Sequence, residues 1–358
     1  MAVQVLERSA AEVFSERLLQ IINDGSLALM ISIGHRTGLF DAMSAMPPAS
    51  AAAIARTAHL SERYVREWLG AMVTGGIVRY DEKLERYALP AEHAASLTRG
   101  ATPGNMAVTA QWIPVLASAE DALVEAFAHG RGVPYSAYPR FHEVMAEESQ
   151  QTVVAGLFEH ILPLAPGVHE RLAAGIDVLD IACGSGGALV ALADRYPASR
   201  FTGIDASAEA VAAGKAEAAR RGLSNALFVQ ADVAELNGAR AYDLVTAFDA
   251  IHDQSRPAQV LARVRAALRP GGVLLMQDIA GHTDLADNRD HPLGPFLYTI
   301  SCLHCMSVSL AAGGPGLGAM WGREQALEML SAAGFDDVIV EVLPHDPINY
   351  YYIGVTPR

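Results

Sequence analysis

The chain has 358 residues, 51% of them hydrophobic, which suits two domains with sizeable cores and excludes disorder on compositional grounds. A formal net charge of −14 opposes non-specific binding to nucleic acid or to an anionic membrane, and suits a cationic small molecule. Three cysteines make no disulfide framework, no uninterrupted apolar run reaches bilayer length, and the early charges leave no signal-peptide core, so a soluble cytoplasmic protein is expected.

The first forty residues read as two short helices. Phe14, Leu18 and Ile22 mark one apolar face, Asn23-Asp24-Gly25 breaks it, and Leu27, Met30 and Ile31 resume it. Residues 51–58 form a small-residue helix. After a turn through His59 and Leu60, Ser61 is placed to cap a second helix over 62–72, with Tyr64, Val65, Trp68, Leu69 and Met72 on one face. Two short β-prone runs, 77–80 and 86–89, then flank the charged turn DEKLE. Helix, turn, helix and hairpin is the order of a winged helix. Its second helix carries Arg63 and Arg66 but also Glu62 and Glu67. Over residues 35–100 eight Lys and Arg face seven Asp and Glu, far from the basic footprint of a DNA-binding module.

Residues 101–165 read as a helical connector. From Ile176 onward short β-branched runs alternate with amphipathic helices, the pattern of a parallel sheet covered on both faces. The expected layout is therefore a helical and winged-helix domain over 1–100, a connector over 101–165, and an α/β domain over 166–358.

The α/β part carries the chemistry. VLDIACGSGG runs from a strand into a turn with Gly184, Gly186 and Gly187, where the backbone can approach a ligand and the helix that follows offers free N–H groups. Asp180, at the strand end, is placed to meet an ammonium. Asp205 ends the next strand in FTGID, where an acid reads the two hydroxyls of a ribose, in S-adenosylmethionine (SAM) or NAD alike. The G-x-G-x-x-G dinucleotide pattern fails, because its last position is Leu189. Asp232, after the third strand, either accepts from an adenine amino group or caps the following helix. His252-Asp253 lies past the fourth strand, where an imidazole can take a proton from an acceptor hydroxyl. The long insertion 279–322 reads as a lid or substrate-binding element. Its Cys302, His304 and Cys305 read as core packing rather than as a metal site, and no metal is expected.

From Ile176 to its end the chain resembles the class I SAM-dependent methyltransferases, with Ala182 where the family has its first glycine. The winged helix in front makes it similar to the small-molecule O-methyltransferases, which carry His-Asp-Trp where this chain has His252-Asp253-Gln254. The layout also resembles a bacterial methyltransferase-or-regulator group. The resemblance implies a Rossmann-like catalytic domain that binds SAM through Asp180, Ala182, Gly184, Gly186, Asp205, Ala206, Asp232, Val233 and Phe248. It also implies catalysis at His252 and Asp253, a closing antiparallel hairpin and a homodimer made through the winged-helix domain. A small-molecule hydroxyl is the expected acceptor. A thiol or amine acceptor, or a SAM-sensing DNA-binding regulator, is the alternative.

Overall fold

The computed structural model describes residues 8–238 and 240–358. The chain divides into two compact units, the first ending at Pro114 and the second beginning at Val115.

In the first unit, α1 (Ala10–Arg36) is a single helix, opened by a Ser9–Glu12 capping box. The expected break at Asn23-Asp24-Gly25 does not occur. One glycine costs a helix only about 1 kcal/mol, and Gln20 donates to Asp24 one turn on at 2.6 Å. Helices α2 (Leu39–Ser44), α3 (Ala51–Thr57) and α4 (Glu62–Thr74) follow, then β1 (Arg79–Asp81) paired antiparallel with β2 (Arg86–Ala88). Helix, helix and hairpin thus stand as the sequence pattern requires. Val65, Trp68, Leu69 and Met72 are buried on α4, and the Trp68 indole donates to the Met30 carbonyl at 2.8 Å. Two details differ. Tyr64 is 80% exposed, and Ser61 occupies the N-cap position without a side-chain capping bond.

The second unit is built on a seven-stranded sheet. Its strands are β3 (Asp177–Ile181), β4 (Arg200–Asp205), β5 (Ala226–Gln230), β6 (Tyr242–Phe248), β7 (Leu268–Ile279), β8 (Val338–Leu343) and β9 (Asp346–Val355), in spatial order β5-β4-β3-β6-β7-β9-β8. The first five are mutually parallel, and β9 runs antiparallel between β7 and β8. The closing hairpin is therefore present, with its last strand inside the sheet. Residues 269–272 (RPGG) lie within β7, at a register shift against β6. Two apolar clusters cover the two faces, one including Leu189, Val190 and Leu192, the other Val260, Leu261, Val264, Ala326 and Leu330.

The chain order reverses at β3, which pairs with β4 on one side and β6 on the other. Ligands of open α/β sheets bind beyond the strand ends at such a switch point. The insertion folds over the same end of the sheet as a helical run, Gly294–Ile300, Ser301–Cys305 and Met306–Ala311. By length and composition this run of eighteen residues would pass for a membrane span, yet 44% of it is buried within the protein. Its buried members include Ser301, His304, Ser307 and Ser309, which suits a core helix.

Candidate active site

The loop after β3 is shaped by backbone conformations that side chains resist. Ala182, Gly184 and Gly186 have φ of 47°, 54° and 71°, in the left-handed region that glycine occupies freely. A Cβ on Gly186 would lie 2.2 Å from the Phe228 ring, whereas one on Gly184 would meet no atom within 4 Å. Gly186 is thus fixed by packing, and Gly184 by its conformation beside open space. The helix Gly187–Arg195 starts there, with its N-terminal N–H groups facing the loop.

Each carboxylate predicted for this side of the site is held by specific partners. Asp180 is buried and accepts a hydrogen bond from the Thr246 hydroxyl at 2.6 Å. Burial pushes its pKa up to about 7, with the Thr246 bond working against that rise. Asp205 accepts from the Gly184 N–H with one oxygen and from the Ser207 N–H with the other, both at 2.8 Å, so it links the glycine loop to the end of β4. Asp232 caps the short helix Val233–Glu235 through the Ala234 N–H, and its second oxygen accepts from Arg256 at 2.7 Å. Ala206 is exposed, Val233 is buried and Phe248 is half-buried.

Across the switch point, His252 is 3% exposed and donates through Nδ1 to Oδ1 of Asp278 at 2.7 Å. Asp278 is fully buried at the end of β7. Its Oδ1 also accepts from the Ile279 N–H at 2.9 Å and the Trp321 indole at 3.1 Å. Burial alone would lower the imidazole pKa, but the Asp278 carboxylate outweighs it and holds His252 well above its ordinary value. Asp253, beside it, accepts from the Tyr135 hydroxyl and, at 3.3 Å, from the Gln254 amide. Gln254, which stands where the resembled family has Trp, is fixed by donating to the Ala250 carbonyl at 2.8 Å.

The insertion and residues 133–141 meet in an aromatic cluster next to this pair. His304 stacks on Phe141 with centroids 4.1 Å apart and meets Tyr135 and Tyr138 edge-on at 5.0 and 4.9 Å. Val133 donates to the Ser307 hydroxyl at 2.8 Å, and Tyr138 to the Leu303 carbonyl. Burial lowers the His304 pKa to about 3. Cys305 is buried and Cys302 half-buried, both as free thiols.

Sequence reasoning singled out His252, Asp253, Asp180 and Asp205 but not Asp278, Thr246 or Tyr135. The sheet register carries the first two of these, setting Asp180 opposite Thr246 and Phe248 opposite Gln277. Trp321 and Tyr135 lie 43 and 118 residues from their partners. Only a strand-end acid in GVLLMQDI hinted at Asp278.

A family model described as a methyltransferase domain matches residues 172–304, which contain the loop, the acids and His252. The chain carries a methyltransferase domain. A second model, described as the Rv2258c-like winged HTH domain, matches residues 25–99. The trans-aconitate 2-methyltransferase of Paracidovorax citrulli is 37% identical over 123 residues, which is 34% of this chain and 43% of that protein. The chain thus matches less than half the length of that curated relative. Over nearly all of its length it shares the fold of human N-acetylserotonin methyltransferase, solved with SAM, at 17% identity (TM-score 0.67, covering 99% of this chain and 100% of that one). It likewise shares the fold of mitomycin 7-O-methyltransferase at 19% identity (TM-score 0.68, covering 97% and 99%). The methyltransferase domain is therefore of class I fold, with the winged HTH domain preceding it in the chain.

Proposed function

We propose that this protein transfers the methyl group of SAM to a hydroxyl of a small molecule, with His252 as general base. The observation that carries the reading is the His252–Asp278 pair, which stands across the switch point from the glycine loop and its acids. In this reading SAM lies along Asp180, Ala182, Gly184, Gly186, Asp205 and Ala206, with Asp232, Val233 and Phe248 beside its adenosine. The sulfonium supplies an electrophilic methyl group. The acceptor oxygen forms the new C–O bond as the C–S bond breaks, and its proton passes to Nε2 of His252. Asp278 keeps Nδ1 protonated and stabilises the imidazolium that results. Asp253, held by Tyr135, orients the acceptor.

The charge of the site narrows the acceptor. Asp180, Asp205, Asp249, Asp253 and Asp278 gather at one end of the sheet, and among the described residues no Lys or Arg side chain hydrogen-bonds any of them. The curated relatives are named for trans-aconitate, a tricarboxylate. This site favours an uncharged or cationic acceptor instead. Regulation through DNA has less support: Arg63 and Arg66 on α4 are paired with Glu67 and Glu62 of the same helix. The winged-helix unit is better read as a homodimerisation element, and the protein as cytoplasmic.

Calorimetric titration with S-adenosylhomocysteine (SAH), followed by transfer of a labelled methyl group to a panel of hydroxylated aromatics, tests the reading. One-to-one SAH binding, lost in Asp205→Ala, is expected. His252→Ala should lower turnover by about 10²- to 10⁴-fold with SAH affinity intact. Absence of SAH binding to the wild type sinks the cofactor assignment, and wild-type turnover in His252→Ala sinks the base.

A further inference from the structure

His252 lies between two aspartates, of which the dyad uses one. Its Nδ1 is 2.7 Å from Oδ1 of Asp278 and 3.8 Å from Oδ1 of Asp249. One donor atom from each of the three residues lies within 4.8 Å of the other two. The aspartates stand at the ends of the adjacent strands β6 and β7, tied by the Asp249 N–H donating to the Gln277 carbonyl at 2.9 Å. Asp249 sits at φ 54°, in the left-handed region that Asp enters more readily than most other side chains.

Base chemistry accounts for Oδ1 of Asp278 and for nothing else on these carboxylates. Oδ2 of Asp278 and Oδ1 of Asp249 are both buried without any hydrogen-bond partner. Two orphaned carboxylate oxygens beside one imidazole are costly in a protein interior, and a cation is the group that satisfies both at once.

We propose that Asp249, His252 and Asp278 form a binding site for one divalent transition-metal ion. One imidazole nitrogen and two carboxylate oxygens suit Zn²⁺, Mn²⁺ or Fe²⁺ better than Mg²⁺, which prefers oxygen and retained water. Starting from the imidazolium, which carries a proton on each ring nitrogen, the ion replaces the proton on Nδ1: that N–H bond breaks, a nitrogen–metal bond forms, and one proton is released to solvent. The remaining ring proton then sits on Nε2, so His252 cannot serve as a base while the ion is bound. The site does not depend on the methyl-transfer reading. Its three ligands do not include Cys302, His304 or Cys305, although the Cys305 thiol hydrogen-bonds His252.

The test uses full-length protein stripped with a chelator and titrated with Mn²⁺, followed by electron paramagnetic resonance of the free ion, and with Zn²⁺ by calorimetry. One equivalent should bind. Asp249→Asn and Asp278→Asn should each weaken binding at least about tenfold. His282→Ala, which removes the exposed His282–Glu324 pair, should leave binding unchanged. SAH affinity and circular dichroism on each variant separate loss of the site from loss of the fold. Asp249, whose side chain is 25% exposed, tolerates substitution best and decides the matter. Absence of a stoichiometric ion on the wild type overturns the proposal. So does binding that survives Asp249→Asn, or binding that is lost in His282→Ala.

Discussion

Ala182 turns the chain out of β3 at φ 47°, where the resembled family has glycine. An L-residue pays about 1–2 kcal/mol for the left-handed region, while glycine loses about 0.5–1 kcal/mol more backbone entropy on folding. Ala182→Gly should therefore leave stability unchanged or raise it by up to about 1 kcal/mol, read from denaturant midpoints; a clear loss would show that the methyl group packs usefully. Asp180 carries a second prediction. Its pKa of about 7 in this buried position means that it is partly protonated at neutrality. A bound ammonium favours the carboxylate, so SAH affinity should rise with pH between 6 and 8, by up to about tenfold per unit. Asp180→Asn should flatten that dependence, and a flat wild-type profile would place the ammonium elsewhere. These acids were legible because each ends a strand within a short motif. Asp278 was not, because its meaning lies in a neighbour 26 residues earlier that only the β6–β7 pairing brings alongside. The two functions open to Asp232 were also beyond sequence, and its bond to the Ala234 N–H shows it capping a helix.

Period and capping signals found most of the larger elements, and what they missed has local causes. Gly25 was read as a break in α1 because turn residues cluster there, yet propensity is a weak prior against continued helical bonding. The insertion gave no pattern beyond its length, because its order comes from packing. Gly322 shows how tightly it is seated: φ is 83°, and a Cβ there would lie 2.1 Å from the Thr283 nitrogen. Gly322→Ala should destabilise the protein by about 2 kcal/mol or more, seen as a lower midpoint of thermal or denaturant unfolding. His304 adds a pH signature to the same element. Its folded pKa, about 3, lies below the ordinary 6.5. As pH falls through 6.5 the unfolded chain takes a proton that the folded protein refuses, so stability is lost toward pH 3, with a slope approaching 1.4 kcal/mol per unit, roughly. His304→Phe should remove that slope while keeping the stack on Phe141. An unchanged slope would assign the acid sensitivity to other groups.

At the scale of the molecule, α1 presents Val13, Phe14, Leu18, Leu19, Ile21 and Ile22 to solvent, each 45% exposed or more. A helix with that much apolar surface is stable when a partner covers it, which supports the proposed homodimer. Phe14→Glu combined with Ile22→Glu should convert a dimer to a monomer in sedimentation analysis, and an unchanged mass would move the interface elsewhere. The division into a helical front and an α/β catalytic part was legible, because the switch from helical to alternating strand and helix periods is abrupt near Ile176. The compact units nonetheless separate at Pro114, a position that composition does not mark.

Trp321 has a consequence in optics. It is the one tryptophan of the second unit, and its indole N–H rests on the same Asp278 oxygen that holds His252. Replacing Trp68 and Trp112 by Phe would leave a chromophore whose emission senses a single carboxylate. Protonation of the dyad, loss of its negative charge or entry of a cation would each change that light, so the state of the pair can be followed in real time without a methyl acceptor in the cuvette.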